Sequence, residues 1–246
     1  MEFHIRCEAK DIAPYVFVPG DHERAKKIAA HFDQAQLVSE SRGYLVFTGT
    51  VDGIRMTVSS TGMGGPCAAI CFEELGHLGA NTFIRVGSCG TYQDNITCGD
   101  VIIATGTFRG GGTAHNYMPV PFPAVPSFEV TTALVKAAQK LGIPVHVGPG
   151  SSGDAFYGPK DAALQALLKQ AGLLYREMES DTLFVLGAVR GWRTGALFAC
   201  DGTATEVKPA WGEAAFRRGE ENAIRIAIEA MKAIALDDAS GKGGQM

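Results

Sequence analysis

The stretch 57–93, TVSSTGMGGPCAAICFEELGHLGANTFIRVGSCGTYQ, constrains the chain most. The strand-like run Met56-Thr57-Val58 opens into Ser60-Thr61-Gly62-Met63-Gly64-Gly65. Pro66 then stands where proline is tolerated, at the first helical position, ahead of a helical stretch Cys67 to Leu78. A second apolar run, Thr82 to Val86, ends in the small-residue turn Gly87-Ser88-Cys89-Gly90. The pattern is strand, glycine loop, helix, strand, glycine loop. It reads as a βαβ unit with both loops at the carboxyl ends of parallel strands, where open α/β sheets place ligands. Arg85 lies one residue from the end of the second strand, close to Ser88. A guanidinium, a hydroxyl and free backbone N–H groups together suit an oxyanion. Neither G-x-G-x-x-G nor G-x-x-x-x-G-K-[ST] occurs, so no nucleotide motif supports that reading, and glycine after a strand is also ordinary turn chemistry.

The rest of the chain repeats the alternation. Val16-Phe17-Val18 runs into Pro19-Gly20-Asp21-His22-Glu23-Arg24 and a helix Ala25 to Phe32. Gly20 permits close backbone approach, and Arg24 falls in the first helical turn, near unpaired N–H groups; an ordinary helix start capped by Asp21 explains the same residues. Leu45–Val51 and Ile54–Ser59 form a hairpin around Asp52-Gly53. A buried strand covers 100–107. Residues 108–128 hold three consecutive glycines and Pro119, Pro121, Pro123 and Pro126, a long loop of the functional or mobile kind. Helices are expected over Phe128–Leu141, Asp161–Ala171, Thr182–Val189 and Ala214–Leu236, with strands starting at Val145 and covering Ala196–Ala199. This alternation implies one α/β domain over 1–236 with a mixed or parallel central sheet, and a disordered polar tail at 237–246.

Composition narrows the classes. A 246-residue chain, 46% hydrophobic with net charge −4, can bury a core, and its charge does not suggest nucleic-acid binding as the main activity, though a few local arginines could still hold a small anion. Six cysteines include no C-x-x-C, so a zinc or redox reading is weak. Cys67 and Cys71 share i,i+4 spacing, which suits a metal but more often marks two small buried residues. No apolar signal core or membrane-spanning run occurs, and a cytoplasmic location is expected.

Segments PGDHERAKKIA (19–29), STGMGGPCAAICFEELGHLGA (60–80), FIRVGSCGTYQ (83–93), FPAVPSFEVTTALVKAAQKLG (122–142), SSGDAFY (151–157) and EMES (177–180) together carry a resemblance. The chain resembles the nucleoside phosphorylases of the uridine phosphorylase and hexameric purine nucleoside phosphorylase branch, in the family's order along nearly the whole length. The resemblance implies a single α/β domain around a distorted barrel or mixed sheet flanked by helices. It also implies homodimers arranged as a hexamer, and cleavage of a nucleoside by phosphate to free base and (deoxy)ribose 1-phosphate. No cofactor or metal is implied for the chemistry; phosphate is a co-substrate, and no nucleic acid or membrane partner is expected.

Carried onto this sequence, the resemblance gives Gly20, Arg24, Arg85 and Ser88 to phosphate. Arg42 reaches phosphate, and His4 the sugar, from the neighbouring subunit. Glu179 with Met178 reads the ribose hydroxyls, and Phe156 packs on the base. Glu177, two residues from Glu179 and on the same face of a strand, suits either a ligand or a structural ion pair. The pattern departs at Gly158–Ala162: Lys160 and Ala162 stand where uridine phosphorylases carry a Gln-x-Arg uracil reader. Asp201 matches the aspartate that protonates or hydrogen-bonds N7 of a leaving purine, assisted by an arginine for which Arg217 and Arg218 are the candidates. The sequence therefore favours a purine nucleoside, with uridine as the alternative. Arg24, Arg42 and Arg85 around an anion argue against a nucleosidase, and Glu179 with Asp201 argues against a non-catalytic nucleoside-binding protein without deciding the point.

Overall fold

The strand Tyr15–Phe17 (β1) sits between Ile54–Ser59 (β4) and Thr82–Thr91 (β5), parallel to both. The two halves of the predicted βαβ unit are therefore not neighbours: the crossover helix Gly65–His77 (α2) passes over β1. The computed structural model describes residues 1–159 and 161–241. Among these, nine strands form one mixed sheet. Its outer arm is the exposed edge strand Asp33–Ser41 (β2), then Tyr44–Val51 (β3) antiparallel to β4. The turn at Asp52-Gly53 has φ of 50° and 78°, the left-handed pair that a two-residue hairpin needs. β2 escapes sequence reading because DQAQLVSES has no apolar alternation and packs on one side only.

The inner arm closes on itself. β5 pairs with Tyr175–Glu177 (β8), followed by Val145–Gly153 (β7), Val101–Gly110 (β6) and Arg193–Cys200 (β9), and β9 returns to pair with β5. This ring is the distorted barrel. It corrects one sequence reading, since Gly87–Gly90 continues a strand rather than forming a turn, and Gly150–Gly153 likewise continues β7. The glycines there make room. A Cβ on Gly87 would lie 2.7 Å from the Phe198 ring, and one on Gly150 2.4 Å from the Tyr175 ring.

Helices cover both faces. Helix α2 and Ser180–Arg190 (α5) bury one apolar cluster, which includes Phe72, Leu75, Leu183 and Phe184. His22–Ala29 (α1), Phe128–Leu141 (α3) and Glu213–Ala239 (α6) bury a second, with Ile28, Leu134, Ile224 and Met231. Ala162–Gln170 (α4), capped by Asp161, lies outside these clusters. The expected tail begins late: α6 continues to Ala239, because Asp238 accepts two hydrogen bonds from Arg193, at 2.8 and 2.6 Å, and one from Tyr15 at 2.8 Å. Residues 242–246 of that tail lie outside the described residues. Among the described residues, no helix is long and apolar enough to cross a membrane.

The long 108–128 segment is held by one side chain. Arg109, 9% exposed, donates to the carbonyls of Ala114, Met118, Pro119, Val120 and Phe122. Five backbone acceptors of the segment thus converge on one guanidinium.

Candidate active site

Strands β1, β4, β5 and β9 run parallel, so their carboxyl ends deliver Gly20, the 60–65 glycine loop, Ser88 and Asp201 to one rim. The β1 and β4 loops touch: Thr61 N–H donates to the Pro19 carbonyl at 2.9 Å, and a Cβ on Gly20 would lie 3.5 Å from the Gly62 oxygen. Gly62 and Gly64 take φ of 71° and 90°, which turns the loop across the rim. Asp21 caps α1 by accepting from the Arg24 N–H at 2.9 Å. The cap sets the first turn so that the Arg24 side chain points inward, only 7% exposed, between Asp21 at 3.1 Å and Glu220 of α6 at 2.7 Å.

Arg85 is the buried centre of the site. Its Nε donates to Glu177 at 3.0 Å, and one terminal nitrogen donates to Glu179. Its other terminal nitrogen, Nη1, is buried with no hydrogen-bond partner. Glu179 also accepts from the Gly64 N–H, so it ties the glycine loop to the arginine. Glu177 ends β8, whereas Glu179 has already left the strand as the residue capping α5. The expected shared strand face is therefore not the reason both reach Arg85; the turn into α5 is.

The two carboxylates differ in their surroundings. Glu177 accepts from the Ser152 and Ser180 hydroxyls and from the N–H groups of Glu179 and Ser180. Burial pushes its carboxyl up, but the Arg85 charge and these donors outweigh burial and hold it below the usual range. Its oxygens are taken up by the protein, the arrangement of a structural ion pair. Burial raises Glu179, and the charge of Glu177 adds to that against the pull of Arg85 and Gly64. Met178, between them, is half-buried.

Asp201 follows β9, its N–H donating to the Cys89 carbonyl at 2.9 Å. Its side chain is 13% exposed and pairs with Lys208 Nζ at 3.3 Å. Burial pushes its carboxyl up, against the pull of Lys208, Arg24 and the Ser88 hydroxyl. Among the described residues, neither candidate arginine pairs with Asp201. Arg217 forms an exposed i,i+4 pair with Glu213 at 2.6 Å, and Arg218 is exposed. The 203–212 loop presents Lys208 to Asp201.

His4 and Arg42 gather elsewhere. Glu74 accepts from His4 Nδ1 at 2.5 Å and from the N–H groups of His4 and Ile5. Phe3 lies with its ring 4.9 Å from that of His4, and the Arg42 guanidinium stands 5.0 Å from the Phe3 centroid. Among the described residues, neither side chain hydrogen-bonds or ion-pairs with Arg24, Arg85, Ser88 or Asp201 within the one chain. Phe156, 46% exposed, lies edge-on to Tyr157 on the turn after β7. Lys160 lies outside the described residues, and Ala162 opens α4 on the surface.

Sequence reasoning missed Glu220, Ser152, Lys208, Arg109 and Asp181. Glu220 had a signal, since it shares a helix stripe with Ala223, Ile224 and Ala227 and must be paired there. Asp181, 1% exposed, accepts from the N–H groups of Gly111 and Thr182 at 3.3 and 2.6 Å, and burial pushes its carboxyl up to about 6.

Comparison with known proteins covers nearly the whole chain. The family model described as the phosphorylase superfamily matches residues 14–236. The uridine phosphorylase of Treponema pallidum (strain Nichols) is 45% identical, over 96% of this chain and 95% of that one. The guanosine phosphorylase of Halorubrum lacusprofundi is 37% identical, over 94% and 98%. A crystal structure of uridine phosphorylase from Vibrio fischeri ES114, complexed with 6-hydroxy-1-naphthoic acid, superimposes with a TM-score of 0.89. It is 31% identical and covers 94% of this chain and 96% of its own.

Proposed function

The chain belongs to the phosphorylase superfamily as a nucleoside phosphorylase, a pentosyltransferase, and from that premise we propose that the nucleoside it cleaves is uridine, giving uracil and ribose 1-phosphate. The observation that carries the reading is Arg85. A buried guanidinium with one terminal nitrogen unpartnered loses about 1–3 kcal/mol of hydrogen bonding, and a bound anion restores it. Phosphate is held by Arg85 Nη1, Arg24, the Ser88 hydroxyl and the backbone at Gly20. Arg42 adds to it, and His4 closes over the sugar, from a neighbouring subunit of a homo-oligomer.

Glu179 and Met178 take the ribose, with the Glu179 carboxylate accepting from its hydroxyls. Phosphate attacks C1′ as the C1′–N bond breaks, and positive charge develops on the sugar. The phosphate on one face and Glu179 beside the hydroxyls stabilise that charge. Phe156 covers the base. The reaction as proposed needs no cofactor or metal.

The choice of uridine reverses the order expected from Asp201 alone. Uridine phosphorylases of Treponema pallidum, Thermococcus kodakarensis and Escherichia coli are 45%, 41% and 34% identical to this chain. The purine reading keeps two supports: the raised carboxyl of Asp201, suited to donating to a leaving base, and the 37% identity to a guanosine phosphorylase. Phosphorus NMR of a uridine reaction tests the proposal. Conversion of inorganic phosphate to a pentose 1-phosphate is expected; free ribose with phosphate untouched would make the enzyme a hydrolase.

A further inference from the structure

One edge of β5 changes partners along its length. β1 pairs with it as far as Ile84, where the Val18 N–H donates to the Ile84 carbonyl at 3.0 Å. β8 takes up the same edge only at Gly90 and Thr91, and Tyr92 N–H donates across it to the Leu174 carbonyl at 3.2 Å. Between these points residues 85–89 pair, among the described residues, with β9 on the opposite edge alone. The open stretch is about 16 Å long. Gly20 and Arg24 follow β1 at one end of it, and Arg176 stands opposite Gly90 at the other. With phosphate at the β1 end and the ribose on Glu179, which meets Arg85 along the stretch, the base extends toward Arg176.

Tyr175 and Glu177 turn into the ring, against Phe198 and Arg85, so the side chain between them turns out of it. Arg176 lies over the bare backbone of Gly90, where a Cβ would come within 2.8 Å of its Nε. Its guanidinium stands 5.7 Å from the centroid of Tyr92, a ring held by a 2.7 Å hydrogen bond to the Ser151 hydroxyl. Arg24, Arg85, Arg109 and Arg193, the other arginines shielded from solvent, all donate to carboxylates or carbonyls. Among the described residues, half-buried Arg176 forms no hydrogen bond and no ion pair. A guanidinium is all donor, and its strongest partner is an oxygen that carries negative charge.

We infer that Arg176 donates to a carbonyl oxygen of the base and stabilises the charge that the base takes up as it leaves. The inference rests on the uridine phosphorylase reading and deepens it by naming a residue that acts on the base. As a phosphate oxygen bonds to C1′, the electron pair of the C1′–N1 bond passes to N1 and spreads onto O2 and O4 of uracil. The uracil anion takes its proton from solvent afterwards. A fixed cation beside either oxygen binds more tightly as that charge grows, so it favours the transition state over the bound nucleoside.

The test is kcat/KM at saturating phosphate for uridine and 5-fluorouridine, with the phosphate KM, in the wild type, Arg176→Met and Arg176→Lys. Fluorine withdraws electrons and stabilises the departing base by itself, so 5-fluorouridine needs the cation less. Arg176→Met should lower kcat/KM for uridine by about 10²-fold or more, and for 5-fluorouridine by roughly tenfold less than that. The phosphate KM should stay within about twofold, the interaction lost being one made in the transition state. Arg176→Lys keeps the charge and should regain part of the uridine rate. Melting temperatures near wild type are expected, since Arg176 has no ion pair to lose. If Arg176→Met melts well below wild type, the ratio of the two nucleosides in Arg176→Lys, expected to shift in the same sense by less, decides in its place. Equal losses on the two nucleosides, or no loss on either, overturn the inference alone. So does a loss confined to the phosphate KM, which would move Arg176 to the phosphate end. A wild-type enzyme that cleaves neither nucleoside with phosphate overturns the uridine phosphorylase reading with it.

Discussion

Arg85 shows how one residue can be both a ligand and a keystone. Two buried carboxylates depend on its charge, and the glycine loop depends on one of them. Removing it leaves Glu177 and Glu179 facing each other uncompensated. Arg85→Met should therefore lower stability by about 3–5 kcal/mol as well as remove the response to phosphate. Denaturant melts and phosphate titration check the two effects separately, and a stable variant with unchanged phosphate KM would remove Arg85 from the site. Asp181 makes a different prediction, about pH. Its folded-state pKa of about 6 lies above the ordinary value of 3.8, so the native state holds the proton more tightly. The stability this contributes is complete below about pH 4 and is lost as pH rises through about 6. Asp181→Asn lacks that dependence. The melting temperature of the wild type relative to the variant should rise between pH 7.5 and pH 5, and a gap that stays constant with pH would contradict the assignment.

At the scale of elements, the order of strands and helices is legible in the sequence because it rests on local period and turn chemistry. The Asp52-Gly53 hairpin, the Gly142 stop of α3 and the Asp161 cap of α4 are of that kind. What the local signal hides is long-range. The ring of β5 to β9 closes through pairings that no single segment announces, and glycines that look like turns are interior strand positions facing Phe198 and Tyr175. The site divides the same way. Arg24, Arg85, Ser88 and Asp201 lie in or beside segments that local period and turn chemistry mark as strands and a helix start, whereas Lys208 enters from a loop whose path depends on Thr203 and Gly202. Arg109 is the element-scale counterpart of Arg85. With its five carbonyl partners lost in Arg109→Met, residues 111–124 should exchange backbone amide hydrogens faster by about 10²-fold or more, several hydrogen bonds to a charged group being removed together. Exchange unchanged in that segment would show that the proline-rich loop is ordered by other contacts.

At the scale of the whole molecule, one chain supplies Arg24, Arg85, Ser88, Glu179 and Asp201 to the rim but leaves His4 and Arg42 at a separate surface joined by Phe3. If those two serve a neighbouring copy, activity belongs to the assembly. Arg42→Ala and Glu179→Ala should each be nearly inactive, yet a mixture dissociated and reassembled together should regain part of the wild-type rate, because some interfaces combine an intact Arg42 with an intact Glu179. A mixture no more active than its parents would place both residues in one chain's own site. The central claim is narrower: the rim around Arg85 takes phosphate as the nucleophile. The measurement that tests it most directly is uracil release from uridine with and without inorganic phosphate. Release that saturates with phosphate and falls to background in its absence is the predicted result; equal release in both conditions would contradict it.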